Sequence, residues 1–204
     1  MRLALLGPAE GNAEALGVAA RFLFEVQPVD RALYLGIDGA LDAIVRAWAS
    51  SLVHDNPTAE GLWARAARAC LRGSAEEIDR YIVRERQRGK LRIFESLPDA
   101  DTRAVEMLGG ALAVMIHDKA NLGEEDMLPA RLLIFGKGRE AVVKQVGPRW
   151  FLSPGSFDEN GLMILEDSDD GVVLTLYDRE CREVRAERVS TSRTAVLKVG
   201  SAGG

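Results

Sequence analysis

The fold turns on the opening stretch Met1-Arg-Leu-Ala-Leu-Leu-Gly-Pro-Ala-Glu-Gly-Asn12. Leu3–Leu6 is a short, unbroken apolar run stopped by Gly7-Pro8. It is too short for the hydrophobic region of a signal peptide and reads as a first β-strand. Asn12 is a helix N-cap, and Ala15, Val18, Ala19, Phe22 and Leu23 follow at helical spacing up to Glu25, with Pro28 beyond. Ala32–Leu35 is a second strand, stopped by Gly36. Gly39 to Val53 is a second helix, with Leu41, Ile44, Val45, Trp48 and Leu52 on one stripe. This strand–helix–strand–helix order predicts parallel pairing in an α/β layered fold.

Working outward, the middle is helical. Leu62 to Leu71 is rich in Ala and Arg, and Ser74-Ala-Glu-Glu77 is a capping-box pattern opening a helix to about Arg88. The basic block Arg84–Lys90 reads as a solvated helix end, where cations suit the helix dipole. Strands are expected at Ala111–Ile116, Leu132–Phe135, Trp150–Leu152, Leu162–Leu165, Val172–Tyr177 and Glu183–Val189, with the run Lys144–Leu152 strand-like as a whole. The late strands alternate apolar and polar residues, so the C-terminal half is expected to be antiparallel, after a parallel or mixed N-terminal half. Asp178-Arg-Glu-Cys181 makes a tight connection between the last two strands. Residues 1–189 are expected to form a single domain. Residues 190–204 are expected to form a flexible tail in which Ala195–Val199 is a candidate short strand.

Composition narrows the function classes. The 204 residues are 47% hydrophobic and 28% charged, the balance of one soluble domain. A net charge of −5 argues against a global grip on nucleic acid or on an anionic membrane. No apolar run nears the roughly 20 residues of a membrane span, so no membrane insertion is expected. Cys70 and Cys181 are far apart and form no CxxC, which argues against a zinc knuckle and a disulfide framework and makes the cytoplasm the expected compartment. Abundant Ala, Arg, Gly and Val suit a GC-rich bacterial genome. Phe135-Gly-Lys-Gly lacks the spacing of a phosphate-binding loop, and Gly7-Pro8 breaks a dinucleotide fingerprint. The only histidines are His54, a helix-end residue with no assigned role, and His117.

The order of short motifs over residues 1–188 resembles the calcineurin-like metallophosphoesterases, in particular their small bacterial phosphodiesterase branch. The family's Asp-x-His-Gly-Asn is matched by Pro8-Ala-Glu-Gly-Asn12, its Gly-Asp by Gly36-Ile37 with Asp38 one place late, and its Gly-Asn-x-Asp/Glu by Gly73-Ser-Ala-Glu76. A strand ending in His is matched by Ala111–Ile116 leading into His117-Asp118. Gly-His-x-His is matched by Gly136-Lys-Gly-Arg139, and Asn-Pro-Gly-Ser by Ser153-Pro-Gly-Ser156. The resemblance implies two β-sheets packed as a sandwich flanked by helices. It also implies that the turn-forming framework is kept and the metal ligands are lost, with only His117 at a ligand position.

A two-metal centre needs several anionic and imidazole donors converging on two cations. Lysine and arginine offer no lone pair and add charge of the wrong sign. No catalytic or metal residue is therefore assigned. Asn12, His117, Lys137, Arg139 and Ser156 form a candidate anion pocket, and Glu10 and Asp38 are the carboxylates of the former site. Lys137 and Arg139 are expected to stand in for the metal charge by pairing with Glu10, Asp38 or Asp118.

The leading expectation is a catalytically inactive module that binds or scaffolds a protein partner. The family offers a precedent in a non-catalytic subunit of a membrane-trafficking coat. One alternative is a non-hydrolytic sensor of a phosphate-bearing ligand. The other is an altered phosphoesterase holding one divalent transition metal on Glu10, Asp38 and His117. Trp48 and Trp63 are expected in the core, Cys70 as a buried thiol, and Phe157 as a pocket lid or partner contact. An exposed sheet edge would allow a homodimer.

Overall fold

The computed structural model describes residues 1–52 and 62–191; His54 and the candidate strand Ala195–Val199 lie outside the described residues. The architecture is α/β, with two sheets and flanking helices. One sheet has six strands: β1 (Arg2–Leu6), β2 (Arg31–Tyr34), β3 (Phe94–Ser96), β9 (Leu162–Ser168), β10 (Gly171–Tyr177) and β11 (Glu183–Ser190), in the order β11-β10-β9-β1-β2-β3. The second has β4 (Ala104–Leu108), β5 (Ala111–Ile116), β6 (Leu132–Phe135), β7 (Val142–Val146) and β8 (Arg149–Ser153), in the order β4-β5-β6-β8-β7. The helices are α1 (Ala13–Glu25), α2 (Ala40–Leu52), α3 (Leu62–Arg72), α4 (Ala75–Leu91) and the short α5 (Glu124–Met127).

β1 sits in the middle of its sheet, parallel to β2 and antiparallel to β9. Its apolar run is continuous because both faces are covered. Leu3 and Leu5 point into the core between the sheets with Leu33, Met115 and Leu165. Ala4 and Leu6 point into the core beneath α1 and α2 with Leu16, Leu23 and Tyr34. Each fully buried leucine stabilises the fold by about 1.5–3 kcal/mol relative to exposure. Parallel pairing joins β1–β2–β3 and β5–β6–β8, while β9–β10–β11 is antiparallel and joins the first sheet through β1.

Asn12 caps α1 by accepting from the Ala15 N–H at 3.2 Å. Ser74 and Glu77 form the expected capping box on α4. Trp48 is half-buried and packs against the edge of the core, beside the rings of Phe24 and Phe94 at centroid separations of 5.8 and 6.1 Å. Trp63 does not behave that way. It is 85% exposed on α3, and Cys70 on the same helix is exposed as well. α3 packs on α4 with Arg65, Ala66 and Ala69 half-buried and Arg65 paired to Glu85, which leaves Trp63, Cys70 and Leu71 in solvent. The basic block is also not simply solvated. Arg88 is buried and paired to Glu85, and α4 continues to Leu91.

Candidate functional site

The carboxyl ends of the parallel strands converge on one face, the usual place for a ligand in open α/β sheets. β1 leads into Gly7–Asn12, β2 into Leu35–Gly39, β5 into His117-Asp118, β6 into Gly136–Arg139, and β8 into Pro154–Ser156. Backbone approach fixes these turns. A Cβ on Gly7 would lie 1.7 Å from the Gly155 carbonyl oxygen, and one on Gly36 would lie 2.4 Å from the Tyr34 ring. Nothing larger than hydrogen fits at either position.

Hydrogen bonds tie the loops together. The Phe157 N–H donates to the Pro8 carbonyl at 3.1 Å, and the Asn12 side-chain amide donates to the Phe157 carbonyl at 3.1 Å. The Ser156 N–H donates to the Arg139 carbonyl at 3.0 Å. Gly136 and Lys137 both donate to the His117 carbonyl, at 3.0 and 2.6 Å. The buried Tyr34 hydroxyl accepts from the Ala9 N–H at 2.9 Å and donates to Asp38 Oδ1 at 2.8 Å, locking the first loop to the second. Burial raises the pKa of Tyr34 far above its ordinary value, so it stays a donor.

His117 is half-buried, and its Nδ1 lies 2.7 Å from the Leu35 carbonyl oxygen. A carbonyl can only accept, so Nδ1 carries the proton and Nε2 is the ring's free nitrogen. Lys137 Nζ donates to Asp118 Oδ2 at 2.5 Å. That ammonium contact, followed by the Ala120 N–H, holds the Asp118 carboxyl below its usual range. Arg139 reaches Asp158 at 3.7 Å and is 70% exposed. Glu10 is exposed, with a positive φ of 48°. Ser156 is fully buried, and its hydroxyl has no hydrogen-bond partner.

The strand-end turns thus bring Asn12, His117, Lys137, Arg139, Ser156 and Asp38 onto one framework, with buried Ser156 beneath and the two cations outside. Asp118 takes the charge of Lys137 as expected, whereas Arg139 meets Asp158, a partner the sequence did not single out. Phe157 is no lid or contact. It is buried in the core beneath α1, where a Cβ on Gly161 would strike its ring. Gly73–Glu76 spans the Gly73-Ser74 turn and the first residues of α4 and follows no strand, so it does not join this face. Tyr34 was missed as the link between loops. Its one trace in the sequence was a hydroxyl inside an apolar strand, which must find a partner when buried.

No protein-family model and no curated protein sequence matches the chain. Among solved structures, vacuolar protein sorting 29 from Cryptosporidium parvum matches at 14% identity over 93% of this chain and 97% of that one, with a TM-score of 0.51. The chain has the metallophosphoesterase fold. A predicted phosphoesterase from Streptococcus pneumoniae also matches, at 12% identity over 93% of this chain and 98% of that one, with a TM-score of 0.49. At such identities the likeness concerns the fold.

That fold implies a metal centre, and the donors present do not fit one with two metals. Asp38 Oδ1 is engaged by Tyr34 and by the Ala40 N–H, Asp118 is engaged by Lys137, and Ile37 offers no donor atom. His117 Nε2 is a single imidazole donor. Among the described residues, no three His, Cys, Asp or Glu side chains are grouped to hold a metal ion. No helix among them is long and apolar enough to cross a membrane.

Proposed function

We propose that this chain keeps the metallophosphoesterase fold without its catalysis and uses the strand-end face to bind a protein partner in the cytoplasm. The observation that carries the reading is the Lys137–Asp118 pair, because an ammonium has no lone pair for a metal and it occupies the carboxylate beside His117. The same face offers exposed Ile37, next in sequence to Asp38, and the exposed cations Lys137 and Arg139. An exposed apolar side chain on a face that also carries charge suits a protein contact. Both cysteines are free thiols, which suits a reducing compartment.

The test has two arms. Protein purified without chelator and supplied with manganese or zinc should show no phosphodiester turnover above background. Turnover lost in Glu10→Ala or His117→Ala would overturn the reading in favour of a single-metal hydrolase. Affinity capture from the native cell should recover a partner with the wild type and lose it with Ile37→Asp and with Lys137→Glu. Recovery unchanged by both substitutions would move the contact off this face.

A second reading is favoured by Arg139, whose carboxylate neighbour stays at 3.7 Å. A guanidinium so loosely held suits an anion, and the face would then sense a phosphate-bearing ligand without cleaving it. A thermal-shift rise with phosphate or a nucleotide that vanishes in Arg139→Ala would select it.

A further inference from the structure

α3 turns Ala66 and Ala69 inward and Trp63 and Leu71 outward. At about 100° per residue, Trp63, Ala67, Cys70 and Leu71 fall on one side of the helix, and the half-buried Arg65, Ala66 and Ala69 fall on the other. Arg65 Nε contacts Glu85 of α4 at 3.1 Å, so that second side faces the neighbouring helix. All four stripe residues are exposed, Leu71 to 83%. A helix that turns an apolar stripe to water is an interface awaiting its cover. Charge points to the kind of cover. Residues 62–92 hold nine basic and four acidic side chains, a net +5 on a chain whose total is −5.

The same molecule carries a surface of opposite character. A cleft of about 700 Å³ lies along α1 and α2 beside the β10–β11 turn, with Val18, Phe22, Ile44 and Trp48 in its wall. Its charged lining residues are Glu14, Glu25 and Glu180 against Arg21. The cleft is apolar with an acidic rim, and the helix stripe is apolar on a basic hairpin. An amphipathic helix laid in a groove by anchors at i, i+4, i+7 and i+8 is a recurrent mode of recognition.

We propose that the outward stripe of α3 seats in the α1–α2 cleft of a second copy of this chain. Trp63 is the central anchor, because large aromatic side chains carry most of the energy of such contacts. The acidic rim steers the basic hairpin into place. Neither surface includes Ile37, Lys137 or Arg139, so the pairing stands apart from the strand-end face.

Sedimentation velocity on the full chain tests it. The wild type should gain mass with concentration, and less so at high salt. Trp63→Ser removes the anchor, and Val18→Arg blocks the cleft with bulk and like charge. Each should raise the dissociation constant by about tenfold or more, with an unchanged circular dichroism spectrum. Mixed in equal amounts, the two variants should restore a species of twice the monomer mass, since one copy still has its cleft and the other its helix. A mixture that stays monomeric would overturn the pairing in favour of helix against helix, and a wild type monomeric throughout would overturn self-association. Binding of anionic phosphatidylglycerol vesicles by the monomer, abolished by Trp63→Ser, would assign the stripe to a membrane surface instead.

Discussion

The strand-end face and the α3–α4 hairpin solve opposite problems with the same residue types. At the strand ends, the frame is backbone against backbone, Gly7 on Gly155 and Gly136 beside Leu35. Tyr34, Asn12 and His117 tie into that frame through side-chain hydrogen bonds, but Pro8, Ile37, Lys137 and Arg139 hang on it without holding it up, so the positions of lost ligands can change without loss of the fold. In the hairpin, charged side chains are part of the frame. Glu85 bridges Arg65 and buried Arg88, while Trp63, Leu71, Ile82 and Val83 are left outside. A site can lose its chemistry cheaply where the backbone defines it, whereas changing a charge in the hairpin changes its packing.

The sharpest way to break this contrast is Gly7→Ala. Its methyl would sit inside the contact distance of the Gly155 carbonyl, and the loss should be about 3 kcal/mol or more in urea unfolding. Next, Arg88→Met should cost about 2 kcal/mol by stripping Glu85 of its buried partner, while the double change with Glu85→Met recovers part of that loss. If the double variant were as unstable as the sum of both singles, the ionic frame of the hairpin would be refuted. Tyr34→Phe should cost about 1–2 kcal/mol, because the buried Ala9 N–H loses its acceptor.

Lys137→Ala should cost less than about 1 kcal/mol, since the ammonium is largely solvated. Its pH dependence has a definite sign. The Asp118 pKa is lowered in the folded state, so the pair stabilises the fold above the unfolded carboxylate value near 3.9 and ceases to do so as pH falls through the folded value. The gap between wild type and Lys137→Ala should be constant at neutral pH and close on acidification below about pH 4. A gap that widened in acid would show that another group titrates there.

Much of the frame was legible in the sequence because it rests on local rules. The Leu3–Leu6 run, the Asn12 cap and the Ser74–Glu77 box each act within a few residues, and each appears where expected. β3 and β4 were not foreseen. β3 has only three residues, and β4 leaves Val105 and Met107 exposed, so neither shows a buried pattern. The site was legible as a set of turns but not as a network. Arg139 with Asp158 and Tyr34 with Asp38 depend on how loops lie in space, and no spacing rule encodes that. Trp63 was misread because amphipathicity tells how wide an apolar stripe is, and tertiary contacts decide which way it points.

The place of β1 has a consequence for synthesis. Its two edges are closed by strands of very different age. β2 follows within thirty-odd residues, but β9 begins only at Leu162. While the ribosome makes the intervening chain, the central strand presents an unpaired edge along its buried apolar run Leu3–Leu6. Such an edge is a template for the wrong partner. The nascent chain should therefore depend on chaperones until β9 emerges, and circular permutants that join β9 ahead of β1 should be released soluble more readily than the natural order.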